Sequence, residues 1–333
     1  MAAWNPIDML PSDIRARLRK SSYPKWVPPM LATLMAQPFS REGWLFEPKL
    51  DGQRCLVLRS GTDVRLYSRN QRRLNDTYPE LVGAFHNQKA QFAVDGEIVA
   101  FEGQITSFAK LQHRMQIRNP SAQLLRKIPV LFYAFDLLHL DGYDTRQVPL
   151  VYRKKLLHEA LDFKDPLRFT EHRETDGEAY YREACSKRWE GVIGKNCHSI
   201  YVSARSREWL KLKCINQQEF VIGGYTEPQG RRIGFGALLV GYYERGRLVY
   251  AGKVGTGFDT DTLSRLGQLL QRLESRTSPF AGDAVSSRGV HWAKPKLVAQ
   301  IGFTEWTSDG KLRHPRFLGL RSDKTPREVV REQ

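Results

Sequence analysis

The chain has 333 residues and a formal net charge of +16, because 52 lysines and arginines outnumber 36 aspartates and glutamates. This length is enough for two domains that each bury a core, and a 41% share of hydrophobic residues excludes a disordered chain. The basic excess indicates an anionic partner, such as nucleic acid, a membrane surface or a phosphorylated ligand. No apolar run approaches the roughly 20 residues of a membrane-spanning helix, and the first residues lack the apolar core of a secretory signal.

The first two thirds of the chain predict a mixture of short strands and helices. In chain order we expect a helix at 12–19, strands at 45–48, 53–59 and 64–68, a helix at 78–87, a strand at 92–101, a helix at 107–116, a strand at 130–138, helices at 153–161 and 177–187, and strands at 191–195 and 208–213.

The pattern changes near residue 216. Strands are predicted at 220–225, 237–244, 248–254 and 297–306, and leucines at one helical face predict a helix over 259–274. Short strands with one inserted helix are typical of a Greek-key barrel such as an OB-fold. We therefore expect two domains, residues 1–216 and 217–333.

The four cysteines show neither a CxxC pair nor a metal-binding spacing; they are Cys55, Cys185, Cys197 and Cys214. We expect free thiols in a reducing cytosol. The basic residues form no like-charged tail, so the positive charge belongs to folded surfaces.

A lysine lies between two predicted strands, in the segment EPKLDGQR at 47–54. On the turn before Asp51 and Gly52, the amine of Lys49 can reach a ligand, but it becomes a nucleophile only where burial or nearby cations remove its proton. The alternative is an ordinary surface lysine before a turn.

Two further lysines alternate with leucines in the segment WLKLK at 209–213. On a strand, Lys211 and Lys213 point to one face and the leucines to the other. Two ammonium groups together suit an anionic phosphate, and the alternative is an edge strand that lysines protect from aggregation.

Two carboxylates and one aromatic ring lie in otherwise apolar strands. Glu97 in VDGEIV and Glu190 in WEGVIGK are costly near a core unless they are paired or bind a cation. A metal ion or a ribose hydroxyl would satisfy them, as would a salt bridge. Phe135 in YAFDLL is either a core residue or a ring that stacks on a base.

These segments, in this order, resemble the ATP-dependent DNA ligases of the covalent nucleotidyltransferase superfamily, and most closely the ligase module of bacterial non-homologous end-joining ligases. The segment RHPRFLGLRSDK at 313–324 resembles the last motif of that family. The resemblance extends from about residue 30 to residue 328. It implies an α+β fold, in which an adenylation domain with antiparallel sheets and flanking helices precedes an OB-fold barrel.

The resemblance also implies a role for each matching residue. Lys49 would be the nucleophile that becomes adenylated. Glu47 and Phe135 would contact the adenine, Glu97 the ribose, and Arg69 the ribose or the DNA phosphate. Arg54 would contact the nucleotide and the 5′-phosphate strand. Lys211 and Lys213 would bind the α-phosphate, and Arg313 and Arg321 would orient the outgoing pyrophosphate. Glu190 and Glu97 would hold Mg²⁺ or Mn²⁺.

The implied activity is the sealing of nicks or the joining of ends in duplex DNA with ATP, through a lysyl-AMP and a DNA-adenylate, in repair, recombination or replication. The implied partners are nicked or broken DNA and a Ku-type end-binding protein. We expect a monomer that is located in the bacterial cytoplasm and nucleoid and does not bind a membrane. The chain is short for such a ligase, which predicts a minimal enzyme without a helical DNA-binding domain, a polymerase or a nuclease. A hinge near 214–218 would let the second domain act first on ATP and then on DNA.

Two alternatives stay open on the sequence. An RNA ligase or a capping-type nucleotidyltransferase would use the same lysine. A catalytically inactive basic nucleic-acid-binding protein would have lost a motif lysine or glutamate, although all of these residues are present.

Overall fold

The computed structural model describes residues 5–115, 117–214, 216–228, 230, 233–282, 285 and 289–332. The chain forms two compact units, Met1–Cys214 and Ile215–Gln333. Both contain mixed strands and helices, as the predicted α+β class requires.

The strands of the first unit are β1 (Arg19–Lys20), β2 (Leu31–Leu34), β3 (Trp44–Pro48), β4 (Gln53–Ser60), β5 (Asp63–Ser68), β6 (Phe92–Val99), β7 (Phe101–Glu102), β8 (Ile105–Thr106), β9 (Leu131–Leu140), β10 (Tyr143–Asp144), β11 (Leu167–Phe169), β12 (Arg173–Glu174), β13 (Gly191–Asn196) and β14 (Arg205–Lys213). Its helices are a 3₁₀ turn at Pro6–Met9, then α1 (Ser12–Arg15), α2 (Pro79–His86), α3 (Phe108–Gln112), α4 (Ala122–Lys127), α5 (Leu150–Ala160) and α6 (Gly177–Ser186).

Two larger sheets organise the first unit. The order of the seven-stranded sheet is β1-β10-β9-β6-β4-β5, with β11 beside β9, and the order of the five-stranded sheet is β12-β3-β13-β14-β2. The strand pairs within these sheets are antiparallel except for β11 with β9 and β14 with β2, which are parallel. The predicted antiparallel sheets are thus confirmed with two parallel additions.

The core of the first unit lies against the central strands of the seven-stranded sheet. Phe132, Leu137 and Val94 are fully buried there, and Leu156 and Leu157 of α5 belong to the same cluster. Burying one such side chain contributes about 1.5–3 kcal/mol. The central strands of this sheet are therefore held in place by apolar packing on one face.

The second unit is built from β15 (Gln217–Thr226), β16 (Leu238–Glu244), β17 (Arg247–Val254), β18 (Glu274–Ser275), β19 (Val290–Gly302), β20 (Glu305–Trp306), β21 (Leu312–Arg313) and β22 (Arg316–Leu320), with helix α7 (Thr260–Arg272) and a 3₁₀ turn at Pro326–Glu328. Its main sheet has the order β17-β16-β15-β19-β18, with β22 beside β19. This is the predicted OB-fold with one inserted helix.

Helix α7 follows from its sequence pattern. The Asp259 carboxylate caps it by accepting a hydrogen bond of 2.7 Å from the Thr262 amide. Leu266 and Leu270, four residues apart, are buried, whereas Leu269 is 38% exposed. One face of the helix therefore packs on the barrel.

Some predicted bounds were wrong for tertiary reasons. The helix predicted at 12–19 ends at Arg15, because Arg19–Lys20 pairs with Tyr143–Asp144 as β1. The helix predicted at 107–116 ends at Gln112, and residue 116 lies outside the described residues. The strand predicted at 297–306 is part of the longer β19, which is followed by the short β20.

The expectation of four free thiols was wrong for one pair. Cys185 at the end of α6 and Cys214 after β14 form a disulfide, whereas Cys55 and Cys197 are free and buried. Helix α6 packs on β13, and β13 pairs with β14, so the fold brings together two cysteines 29 positions apart. Within the described part of the chain, none of the helices is long and apolar enough to cross a membrane.

Candidate active site

One face of the five-stranded sheet carries part of the predicted site. Residues opposite each other in an antiparallel ladder point to the same side of the sheet. On this sheet Glu47 of β3 lies opposite Ile193 of β13, and Ile193 lies opposite Lys211 of β14. Two residues farther toward the strand ends, Gly191 of β13 lies opposite Lys213 of β14. The structure therefore brings Glu47, Lys211 and Lys213 to one face.

Lys49 follows β3 directly, at the same end of the sheet. Its amide donates a hydrogen bond of 2.9 Å to the Gly191 carbonyl, and its Nζ forms an ion pair with Glu190. The side chain of Lys49 is 19% exposed and that of Glu190 is 7% exposed. The predicted nucleophile and the predicted metal ligand are therefore in direct contact.

Opposing effects act on the pKa of Lys49. Burial lowers it, but the neighbouring carboxylates, Glu190 foremost and then Asp51 and Glu97, outweigh burial, so the pKa is raised. The sequence analysis required burial or nearby cations to remove the proton from Lys49, but in the structure the carboxylates dominate. Lys49 is held there as an ammonium ion.

The turn after Lys49 is fixed by backbone contacts. The Asp51 carboxylate accepts a hydrogen bond of 3.1 Å from the Phe108 amide, and its own amide donates to the Thr106 hydroxyl at 3.1 Å. A Cβ atom on Gly52 would lie 2.2 Å from the Ile98 carbonyl oxygen. The Asp-Gly pair therefore lets β4 start close against β6 and sets the position of Lys49.

Glu47 lies in a buried network with two lysines. Only 2% of the residue is exposed; Lys154 of α5 donates to its Oε1 at 2.5 Å, and Lys195 of β13 lies 2.6 Å from its Oε2. Burial raises the pKa of Glu47, but the two lysines outweigh it and the pKa is lowered. Burial lowers the pKa of Lys195 to about 8. Glu47 is thus an ionised carboxylate in a fixed position.

Arg54 and Asp95 form a second anchored pair on the seven-stranded sheet. The Arg54 guanidinium binds both Asp95 oxygens at 2.6 Å, and the Tyr201 hydroxyl donates to the same carboxylate at 2.6 Å. The Arg54 guanidinium carbon lies 4.6 Å from the centre of the Phe135 ring. Phe135 itself is 8% exposed. The predicted stacking ring is therefore held between sheets and largely buried.

Glu97 lies on the same sheet, and Arg69 directly follows one of its strands. Glu97 of β6 is opposite Arg54 of β4 and Tyr133 of β9. Arg69 follows β5, in a turn closed by the hydrogen bond from the Gln71 amide to the Ser68 carbonyl. Glu97 is close enough to Lys49 to raise its pKa, so it belongs to the cluster.

The predicted arginines of the last motif belong to the second unit. Arg313 pairs with Glu305 at 2.6 Å, and Arg321 binds both oxygens of the buried Asp323 at 2.9 and 2.8 Å. Each is therefore oriented by a carboxylate of its own unit.

Sequence reasoning missed four residues of this site: Asp95, Lys154, Lys195 and Tyr201. The signal for Asp95 was a second acidic residue inside the apolar strand of Glu97, and that for Lys195 was a lysine on the strand after Glu190. Lys154 lies in a run of basic residues on a helix, which is also the pattern of a solvent-exposed face.

The comparisons with known proteins agree with this geometry. The model described as the ATP dependent DNA ligase domain matches residues 29–213, and the one described as the ATP dependent DNA ligase C terminal region matches residues 231–324. The chain belongs to the ATP-dependent DNA ligase family. Lys49, Glu190 and the face of Lys211 and Lys213 all lie in the first matched region.

The ligase relatives are longer than this chain. The multifunctional non-homologous end joining protein LigD of Pseudomonas aeruginosa is 39% identical over 324 residues, covering 94% of this chain and 38% of the relative. The LigD of Mycolicibacterium smegmatis is 36% identical over 325 residues, covering 96% of this chain and 41% of the relative. The chain thus spans about two fifths of the length of these curated relatives.

Solved ligase structures match the fold over most of the chain. A mycobacterial DNA ligase D complexed with ATP and MES superimposes with a TM-score of 0.67 at 35% identity, covering 92% of this chain and 98% of the other. The ligase domain of M. tuberculosis LigD superimposes with a TM-score of 0.50 at 36% identity and the same coverage. These matches favour a DNA ligase over the RNA ligase and capping alternatives.

Proposed function

We propose that this ligase joins 3′-hydroxyl and 5′-phosphate ends in nicked or broken duplex DNA by way of AMP carried on Lys49. The observation that carries the proposal is the ion pair of the Lys49 amine with Glu190, beside the strand that bears Lys211 and Lys213. The neighbour of known structure that was solved with ATP supports ATP as the nucleotide.

The reaction has three steps. Lys49 Nζ, after losing a proton, attacks the α-phosphorus of ATP; an N–P bond forms and pyrophosphate leaves. An oxygen of the DNA 5′-phosphate then attacks the same phosphorus, which gives the DNA-adenylate and frees the lysine. Finally the 3′-hydroxyl attacks the 5′-phosphorus, the phosphodiester forms and AMP leaves. A covalent lysine intermediate thus divides one hard condensation into easier steps.

The residues around Lys49 fit this chemistry. Lys211 and Lys213 provide fixed positive charge for the α-phosphate in the transition state. Glu190 keeps Lys49 protonated until its negative charge is balanced by another cation. Arginine would not replace Lys49, because a guanidinium stays protonated.

The carboxylates of the site suit a divalent metal ion. Within the part of the chain that the structure describes, no three His, Cys, Asp or Glu side chains form a metal site by themselves. Glu190 and Glu97 offer hard oxygen ligands near Lys49, and Mg²⁺ or Mn²⁺ is usually held by one or two carboxylates together with substrate phosphates. When bound, the ion would supply positive charge to those phosphates.

The remaining residues complete the nucleotide site in this proposal. Glu47 and Phe135 recognise the adenine, Glu97 and Arg69 the ribose, and Arg54 the nucleotide and the 5′-phosphate strand. Arg313 and Arg321 orient the leaving pyrophosphate. The Arg321 variant R321A would then slow lysyl-AMP formation from ATP while leaving the sealing of pre-adenylated DNA near the wild-type rate.

We extend the proposal to the organisation of the enzyme. Residues 1–216 form the adenylation domain and residues 217–333 the OB-fold domain, with a hinge at 214–218, of which residue 215 lies outside the described residues. The end-joining names of the relatives support DNA ends as substrate. The proposal further includes a Ku-type end-binding protein as partner and a monomer of the bacterial cytoplasm and nucleoid.

A nick-sealing assay tests the proposed function. A labelled nicked duplex is incubated with the protein and ATP, NAD⁺ or no cofactor, and an RNA nick is assayed in parallel. We expect sealing of DNA with ATP alone, a lysyl-AMP adduct in the wild type, and neither in K49A.

The matched control is K164A, because the Lys164 side chain is 82% exposed and pairs only with the exposed Asp162 among the ion pairs described. It should seal DNA as the wild type does. An adduct that persists in K49A would overturn the assignment of the nucleophile.

A further inference from the structure

Lys154 is a buried lysine outside every segment that resembles a ligase motif. It lies on α5 and is 2% exposed. Its Nζ donates to Glu47 Oε1 at 2.5 Å and to the Thr170 carbonyl at 2.9 Å, and lies 4.5 Å from the centre of the Phe169 ring. Lys154 thus reaches Glu47 from a different element than the strands of the site.

The charges around Glu47 do not balance. One carboxylate faces two lysines, Lys154 and Lys195. The nearby Asp136 is already bound through both oxygens by Arg153, at 2.7 and 2.8 Å. A buried ion pair rarely adds stability over apolar packing, and a surplus buried cation costs more. Stability alone therefore does not explain this arrangement.

The two lysines determine what Glu47 can do. Because each oxygen faces one ammonium group, the carboxylate is fixed in orientation and stays ionised. A carboxylate oxygen has two lone-pair directions, so each oxygen keeps one for a ligand. Glu47 is thus a preorganised acceptor for an N–H group.

We propose that Lys154 is a positioning residue for base recognition, which holds Glu47 so that it accepts a hydrogen bond from the 6-amino group of adenine. This inference rests on the proposed function, in which the adenine of ATP lies against Glu47. Guanine carries an oxygen in place of that amino group, and its lone pairs are repelled by the carboxylate. Lys154 therefore acts on nucleotide selectivity, through Glu47 and without touching the reacting atoms.

The test measures how fast the nucleotide becomes attached to Lys49 with each of three substrates: ATP, GTP and purine riboside triphosphate. The last of these lacks the 6-amino group. A hydrogen bond to a charged group predicts that the wild type prefers ATP over the purine analogue by about ten- to a hundredfold in kcat/KM. K154M should lose most of this preference through a higher KM for ATP, with kcat within about twofold. K154R should keep most of it.

K155M is the matched control, because Lys155 is the exposed neighbour on the same helix. It should keep the wild-type preference and KM. If K154M fails to fold, K154Q replaces it with the same expected loss, because glutamine is a long side chain without the ammonium charge that fixes Glu47.

The pH profile separates positioning from a merely structural role. The titratable groups that face Glu47 are Lys154 on α5, Lys195 on β13, His172 before β12 and Tyr180 on α6. Without Lys154 the pKa of Glu47 rises, so the KM of K154M for ATP should increase as the pH falls from about 7 to 5. The wild type and K155M should show a smaller and equal change, which includes the titration of ATP itself.

The outcomes are distinguishable. An unchanged ATP preference and an unchanged pH profile in folded K154M would overturn the role of Lys154. A wild type that does not discriminate against the purine analogue would overturn it as well, while leaving the ligase function intact. Adduct formation by K49A would instead remove the proposed function on which the inference rests.

Discussion

At the scale of single residues, the protonation of Lys49 is the central feature. Burial lowers the pKa of its amine and so favours the reactive neutral form. The neighbouring carboxylates outweigh this effect, raise the pKa and keep the proton in place. An amine held in this form cannot act as the proposed nucleophile until the charge around it changes. The proton on Lys49 therefore protects the amine against unproductive attack.

The E190Q variant tests this protonation directly, without metal or ATP. Removing the carboxylate leaves burial as the dominant effect on Lys49, so its pKa should fall and its amine should react faster with an acylating reagent at pH 8. Peptide mass spectrometry of a trace-labelled sample measures the rate. Lys164 serves as the internal reference and should label equally in both proteins; a slower Lys49 in E190Q would contradict the account.

Gly52 shows how a residue without a side chain supports the site. A Cβ atom there would lie 2.2 Å from a backbone oxygen, so G52A must push β4 away from β6. We expect a loss of about 1–3 kcal/mol in the free energy of unfolding. Urea denaturation measures it.

The comparison for G52A is Gly83 on α2, where an added Cβ meets nothing within 4 Å. The G83A variant should gain about 0.5–1 kcal/mol, because alanine favours a helix over glycine. Equal effects at both glycines would show that the close approach of β4 and β6 is unimportant.

Short segments that carry their own chemistry led the sequence analysis to single out Lys49, Glu190, Lys211 and Lys213. The fold brings these residues to one end of one sheet, and their roles stay predictions. Lys154 was missed because its partner, Glu47, is 107 positions away. A contact of that kind depends on how α5 packs, which local patterns do not encode.

At the scale of elements, the strands with strong apolar runs were predicted and the marginal ones were not. Strands β4 and β6 are central and mostly buried. Strands β2 and β11 were missed because each is short and pairs in parallel with a distant strand. Their formation depends on the partner strand more than on their own β-propensity.

The disulfide joins two elements that both flank the site. Cys185 lies in the last turn of α6, and the Cys214 amide donates a hydrogen bond of 3.0 Å to the Glu190 carbonyl. Closing a loop of 29 residues restricts the unfolded chain, so C185S should lose about 3–4 kcal/mol of stability in the absence of reductant. Denaturation with and without dithiothreitol measures this.

Reduction of the wild type should bring its stability down to that of C185S, while the variant itself should not respond. A wild type whose unfolding is the same with and without reductant would show that the bond adds nothing. Cys55 and Cys197 are buried and free in both proteins, so these two thiols do not account for a difference in stability between them.

At the scale of the whole molecule, the proposed function divides the net charge of +16 into two tasks. A small set of cations, including Lys49 and Lys211, would serve the proposed nucleotide site. The remaining basic residues lie on both units and form no continuous like-charged tail. They suit a duplex backbone, which is recognised by charge without regard to sequence.

This division predicts different salt dependences for two activities of one protein. Affinity for a nicked duplex should fall steeply between about 50 and 300 mM KCl, with a log–log slope near 0.9 per phosphate neutralised. Lysyl-AMP formation should fall much less, because buried pairs such as Lys49 with Glu190 are screened weakly. Fluorescence anisotropy measures the first and adduct formation the second in the same buffers. Parallel losses in both would mean that surface charge, and not the buried cluster, governs the reaction with ATP.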